Sequence, residues 1–150
     1  MARYSVTRMT PAGTDKSIIA LAGIATSRPV VSYFSVGSPD TPANQSGNFA
    51  LLRFTAAPVG GTTLVPEQID PASPPALCVG KGGTMTEPTY VSGVGQEYWG
   101  GGVNQQATFQ WWANPGYEPR TAVGTANGIG LKTISHTATP NIKGTILWEE

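Results

Sequence analysis

No stretch of this chain longer than twelve residues is free of both glycine and proline, and the longest such stretch is 103–114. Glycine destabilises a helix interior, and proline there removes a hydrogen bond and clashes with the preceding turn. With 19 glycines and 13 prolines among 150 residues, the chain has room for strands and turns and little room for helices. The material between the breakers agrees. Within 103–114, the run Ala107-Thr108-Phe109-Gln110-Trp111-Trp112 is aromatic and β-branched with polar residues interleaved, which is strand composition. Further strands are expected where Tyr4, Val6 and Arg8 alternate with Arg3, Ser5 and Thr7, and over 17–25, 30–36, 49–55, 62–65, 76–79, 89–92, 128–133 and 142–148. The segment 17–25 also fits a short helix, because Ile18, Ile19, Leu21 and Ala22 lie at helical spacing.

The expected fold is therefore all-β. It is a single β-sandwich or jelly-roll-like barrel over 1–150, with about eight to ten short strands and long Pro/Gly-rich loops. The loops 37–44 and 66–75 are rich in proline, which fixes φ and allows order without regular structure. Gly80-Lys81-Gly82-Gly83 and Gly100-Gly101-Gly102 read as loop tips. Neither an internal repeat nor a linker with a shift in composition divides the chain.

Composition narrows the function classes. Nine basic and nine acidic residues give a formal net charge of zero, with no basic tract. That argues against nucleic acid, whose phosphates demand clustered Lys and Arg, and against an anionic membrane surface. The start, with Arg3 and Arg8 and no apolar run behind them, does not read as a signal peptide. The longest apolar run, 18–25, is far shorter than the ~20 residues of a membrane span. A single cysteine, Cys78 in Ala76-Leu77-Cys78-Val79, excludes an internal disulfide and reads as a small buried hydrophobe. The chain needs no oxidising compartment.

Catalytic motifs are not evident, and the expectation is no enzyme, no metal and no cofactor. One His and one Cys cannot build a converging ligand set, and His136 in Ile134-Ser135-His136-Thr137 reads as a polar surface loop. Ser92 and Gly93-Val94-Gly95 do not supply a Gly-x-Ser-x-Gly elbow. Gly80-Lys81-Gly82-Gly83-Thr84 lacks the phosphate-loop spacing. Asp70 and Glu87 both precede proline in turn contexts, where a structural role is expected rather than glycosidase chemistry.

The aromatics remain. Tyr98-Trp99, Trp111-Trp112 and Tyr117 cluster within twenty residues. They suit core filling, a protein interface or a sugar platform. Strand neighbours point to opposite faces, so Phe109 and Trp111 are assigned to the core and Trp112 to the polar face beside Thr108 and Gln110. By the same alternation Ile142, Gly144, Ile146 and Trp148 point inward, leaving Leu147 beside Lys143, Thr145 and Glu149.

Several blocks resemble a family of small proteins encoded among the structural genes of tailed bacteriophages. They are Leu52-Arg53-Phe54-Thr55-Ala56-Ala57, the run 66–72, Glu87-Pro88-Thr89-Tyr90, Asn104-Gln105-Gln106-Ala107-Thr108-Phe109-Gln110-Trp111, Asn127-Gly128-Ile129-Gly130-Leu131 and Ile146-Leu147-Trp148-Glu149-Glu150. They cover the chain from about Lys16 to Glu150, with departures at Gln106 and in the aromatic, glycine-rich 96–102. The resemblance implies a virion protein made in the host cytoplasm, a decoration or cement protein on the capsid surface. It implies a jelly-roll-like sandwich that trimerises and binds the phage major capsid protein. The residues expected at the subunit or capsid interface are Trp112, Leu147, Tyr98, Trp99 and Tyr117. A carbohydrate- or receptor-binding sandwich of a fibre is the alternative, although no heptads or collagen-like run supply a trimerising stalk.

Overall fold

The computed structural model describes residues 1–11, 13–40, 44–91, 97–136 and 140–150. Among them there is no helix; 17–25 is strand and turn, not helix. Among the described residues twelve strands run in chain order. They are β1 (Arg3–Pro11), β2 (Lys16–Ala22), β3 (Val30–Gly37), β4 (Ser46–Ala56), β5 (Val59–Leu64) and β6 (Glu67–Gln68). After these come β7 (Val79–Thr86), β8 (Thr89–Tyr90), β9 (Glu97–Asn104), β10 (Phe109–Trp112), β11 (Gly128–His136) and β12 (Asn141–Glu149). The expected residues Ser92, Gly93, Val94, Gly95, Gln96 and Thr137, and part of the loop 37–44, lie outside the described residues.

All pairings are antiparallel, in two sheets that pack as an open sandwich rather than a closed barrel. One sheet has the order β10-β3-β12-β1-β6 and the other β5-β7-β2-β11-β4-β8, with β9 also paired to β4. The count exceeds eight to ten because the second glycine run is a strand, β9, and the loop expected at 66–75 contains the short β6. The strand expected at 76–79 begins only at Val79, as β7, and takes in the first glycine run. Gly80-Lys81-Gly82-Gly83 lies in β7 and Gly100-Gly101-Gly102 in β9. Glycine is required in β7 by what lies opposite: a Cβ on Gly82 would stand 2.9 Å from Arg8 Cγ and 3.0 Å from the Ile18 carbonyl oxygen. The strand expected at 107–112 begins at Phe109 as β10, since the turn at 105–107 separates it from β9.

The core fills the gap between the sheets. One side contributes Tyr4, Val6, Val31, Phe34, Val36, Ile142, Ile146 and Trp148; the other contributes Ile18, Ile19, Leu21, Phe49, Leu51, Ile129 and Leu131. Strict alternation fails where strands bulge. Leu147 pairs with Tyr33 but Trp148 with Val31, so Ser32 is the extra residue and Val31 and Phe34 both reach the core three positions apart. A second bulge between Leu131 and Lys132 lets consecutive Ile18 and Ile19 both be buried.

The outer faces of the two sheets differ. On the second sheet the segment from Glu87 to Tyr90 crosses from β7 to β8 as a strap. Its Glu87 carboxylate accepts hydrogen bonds from the Ser17 amide (3.0 Å) and the Ser17 hydroxyl, and the Tyr90 hydroxyl meets Ser17 Oγ at 2.6 Å. Lys132 Nζ sits 4.7 Å from the centre of the Tyr90 ring and pairs with Asp15 at 3.0 Å. The Tyr90 side chain lies on Gly130 and the Phe54 ring on Gly128, where any Cβ would overlap them. Pro88, Leu52, Phe54 and Ala20 are buried beneath or within this cover.

Candidate interaction surface

Among the described residues, nothing comparable covers the outer face of the five-stranded sheet. The pairings align one transverse row across all five strands: Trp112 with Tyr33, Tyr33 with Leu147, Leu147 with Ser5, and Ser5 with Glu67. Residues directly opposite one another on antiparallel strands share a face, so the row is a continuous strip. Its β10 end is aromatic. The Tyr33 and Trp112 rings stand 4.3 Å apart, tilted by 44°, and Trp112 remains 65 % exposed. Leu147 is half-buried between Tyr33 and Ser5.

The next row is polar: Gln110, Ser35, Thr145 and Thr7, with the Thr7 and Thr145 hydroxyls 2.9 Å apart. On the other flank Arg3 pairs with Glu149 at 2.6 Å. An aromatic strip bordered by hydroxyls and one exposed ion pair can bury apolar area while its rim stays hydrated, the layout of a protein contact.

The remaining expected interface residues divide. Tyr98 is 37 % exposed at the edge of β9, where its hydroxyl donates to the Arg120 carbonyl at 2.7 Å. Partial burial raises its pKa, so it stays a neutral donor. Tyr117 is 83 % exposed in the turn after β10. Trp99 departs from expectation. It is half-buried and turned inward, stacked on Phe109 (4.6 Å, 25°) and tilted against Phe34 (5.2 Å), so it extends the core instead of offering a contact. Trp111 points inward as the alternation requires, but β10 is an edge strand, and Trp111 is only partly buried against Phe34 at 5.4 Å.

The other residues singled out from sequence take structural places. Cys78 is buried, and its thiol is pushed up to about 12 by that burial and by the nearby Glu150 carboxylate, so it stays protonated and unreactive at neutral pH. The Glu150 carboxylate accepts from the Leu77 and Cys78 amides and from Trp148 Nε1. Asp70 caps its own turn by accepting from the Ala72 amide at 3.0 Å. Among the described residues, no three His, Cys, Asp or Glu converge as a metal site.

His136 is not a surface loop residue. It ends β11, half-buried, with its ring edge-on to Phe49 at 5.0 Å and packed on Gly47, and Nδ1 lies 3.3 Å from the Gln105 amide nitrogen. The sequence signal was Gly47, whose missing side chain leaves the space. Burial lowers the His136 pKa below 6.5, so the folded state resists the proton that the unfolded chain accepts. The stability this contributes is complete above about pH 6.5 and is lost as the pH falls toward the folded pKa. His136→Gln should therefore flatten the dependence of melting temperature on pH between 7.5 and 5; an unchanged slope would contradict the burial account.

No family model, curated protein or solved structure matches the chain.

Proposed function

We propose that the chain is a non-enzymatic structural protein of a tailed-phage particle, a decoration or cement protein that binds the outer surface of the head and stabilises it. One observation supports this best: the strap closes the outer face of one sheet, while the other sheet presents the Trp112–Tyr33–Leu147 strip. A sandwich needs no exposed aromatic strip for its own stability, whereas an interface uses buried aromatics as its anchors. The blocks that resemble phage proteins fit the same picture. Phe54, Tyr90, Gly128 and Gly130 come from three separate blocks and meet in the strapped face. On this reading the strip forms contacts with further copies in a trimer or with the major capsid protein, and the exposed Tyr117 and part-exposed Tyr98 are separate candidate contacts away from it.

Mass spectrometry of purified particles tests the assignment. The chain should be present at a copy number commensurate with the major capsid protein. Its absence from intact particles would overturn the reading.

A second reading has an observation of its own. Beside the strip, a recess of about 290 Å³ is lined by Ser35, Ser38, Thr108, Lys143 and Thr145. A ring platform next to hydroxyls suits a sugar, which has an apolar face and polar edges. Tryptophan fluorescence titrated with neutral oligosaccharides separates the two readings: saturable quenching, absent in Trp112→Ala, would favour glycan binding over decoration.

A further inference from the structure

The opposite side of the sandwich, where β1 packs on β7 and β2, carries a different feature. Along β1 the inward positions are Tyr4, Val6, Arg8 and Thr10, so a cation occupies a place in the inter-sheet gap that alternation assigns to an apolar residue. Its stem lies on Gly82, and its guanidinium lies on Gly83, where a Cβ would come within 3.1 Å of Nη2. Arg8 Nε is buried without an acceptor, and among the described residues no acid lies within ion-pair distance of Arg8. Arg8 as a whole is half-buried at the recess, but an arginine cannot shed its charge, and the desolvated Nε has no acceptor to offset the cost.

A recess of about 220 Å³ opens at this point, lined by Arg8, Thr10, Lys16, Ser17, Thr84 and Glu87. The one acid, Glu87, already takes two donors from Ser17 on its Oε2. Two cations and one engaged carboxylate therefore line the recess, together with the threonines Thr10 and Thr84. The guanidinium fork matches a carboxylate or a phosphate bidentately.

We propose that this recess between β1 and β7 is an oxyanion site, with Arg8 as the anchoring fork and Lys16 at the rim, taking a phosphate or a carboxylate group. The proposal does not rest on the decoration reading, because it uses the side of the sandwich away from the aromatic strip. The two sources of such a group are free phosphate and an acidic side chain of a bound partner.

Thermal melts and calorimetric titrations of the whole chain test it, using sodium phosphate and sodium acetate against sodium chloride at matched ionic strength. Wild type should show a saturable rise in melting temperature with phosphate, acetate or both, and none with chloride. Arg8→Gln should abolish the saturable shift, and Lys16→Gln, exposed at the rim, should weaken binding by about tenfold at most. If Arg8→Gln does not fold, Arg8→Lys, which keeps the charge but loses the fork, carries the test: it should weaken binding by about tenfold or more, and wild-type binding by it would overturn the site. Response to phosphate alone points to free phosphate, and response to acetate points to a partner carboxylate; either supports the site. A melting temperature that follows ionic strength only, or wild-type binding by both variants, would overturn it.

Discussion

Trp148→Ala should destabilise the fold by about 3–5 kcal/mol, as truncation of a large, fully buried aromatic does. Trp148 is 0 % exposed on β12, with its ring 5.6 Å from that of Tyr4. Its Nε1 also donates to Glu150, whose carboxylate holds the Leu77 and Cys78 amides. The substitution thus opens a cavity between β1 and β12 and loosens the segment leading into β7. Denaturant unfolding followed by circular dichroism measures the loss, which is a large share of the ~5–15 kcal/mol typical of a domain. Trp111→Ala should cost less, about 1–3 kcal/mol, because Trp111 is only partly buried on an edge strand. Equal losses at the two positions would contradict this ranking.

Gly128→Ala should be as damaging as Trp148→Ala. A Cβ there would overlap both the Phe54 ring and the carbonyl oxygen of Leu21. The ring can turn aside. The carbonyl belongs to β2, which pairs with β11 at Gly128 and Ala22, and moving it breaks the ladder. Overpacking of this kind costs roughly 1–3 kcal/mol when side chains can relax, and more when backbone must move. Adding Phe54→Leu to Gly128→Ala should therefore restore little of the melting temperature. Gly102→Ala is the control, since its Cβ would meet only Asn48 Oδ1 at 3.1 Å. Full rescue by Phe54→Leu would show that the ring, not the strand, sets the constraint.

The fold class was legible because breakers at this density leave only strands. The alternation within β10 and β12 placed Trp112 and Leu147 on the outer face and Ile142, Ile146 and Trp148 inside. The glycine runs read as loop tips, whereas the structure uses their lack of side chains within strands. Gly82 and Gly83 make room for Arg8, and Gly128 and Gly130 form a floor for Phe54 and Tyr90. Such contacts join residues tens of positions apart, so no local pattern reveals them. Trp99 misled for a related reason: its strand is an edge strand, and the ring folds back over Phe109 and Phe34. Tyr33 went unnoticed as part of the surface because its role comes from register. Only the pairing of β3 with both β10 and β12 sets it between Trp112 and Leu147.

That strip is the centre of the functional account, and light scattering coupled to size-exclusion chromatography tests it most directly. At micromolar concentration the wild-type chain should run as a multiple of its 15.6 kDa mass, a trimer on the proposed reading. Trp112→Ala should shift it toward the monomer, with the far-UV spectrum and melting curve of a folded sandwich. A wild-type chain that runs at 15.6 kDa, or a Trp112→Ala variant that assembles as wild type does, would contradict the assignment of this face as a subunit contact.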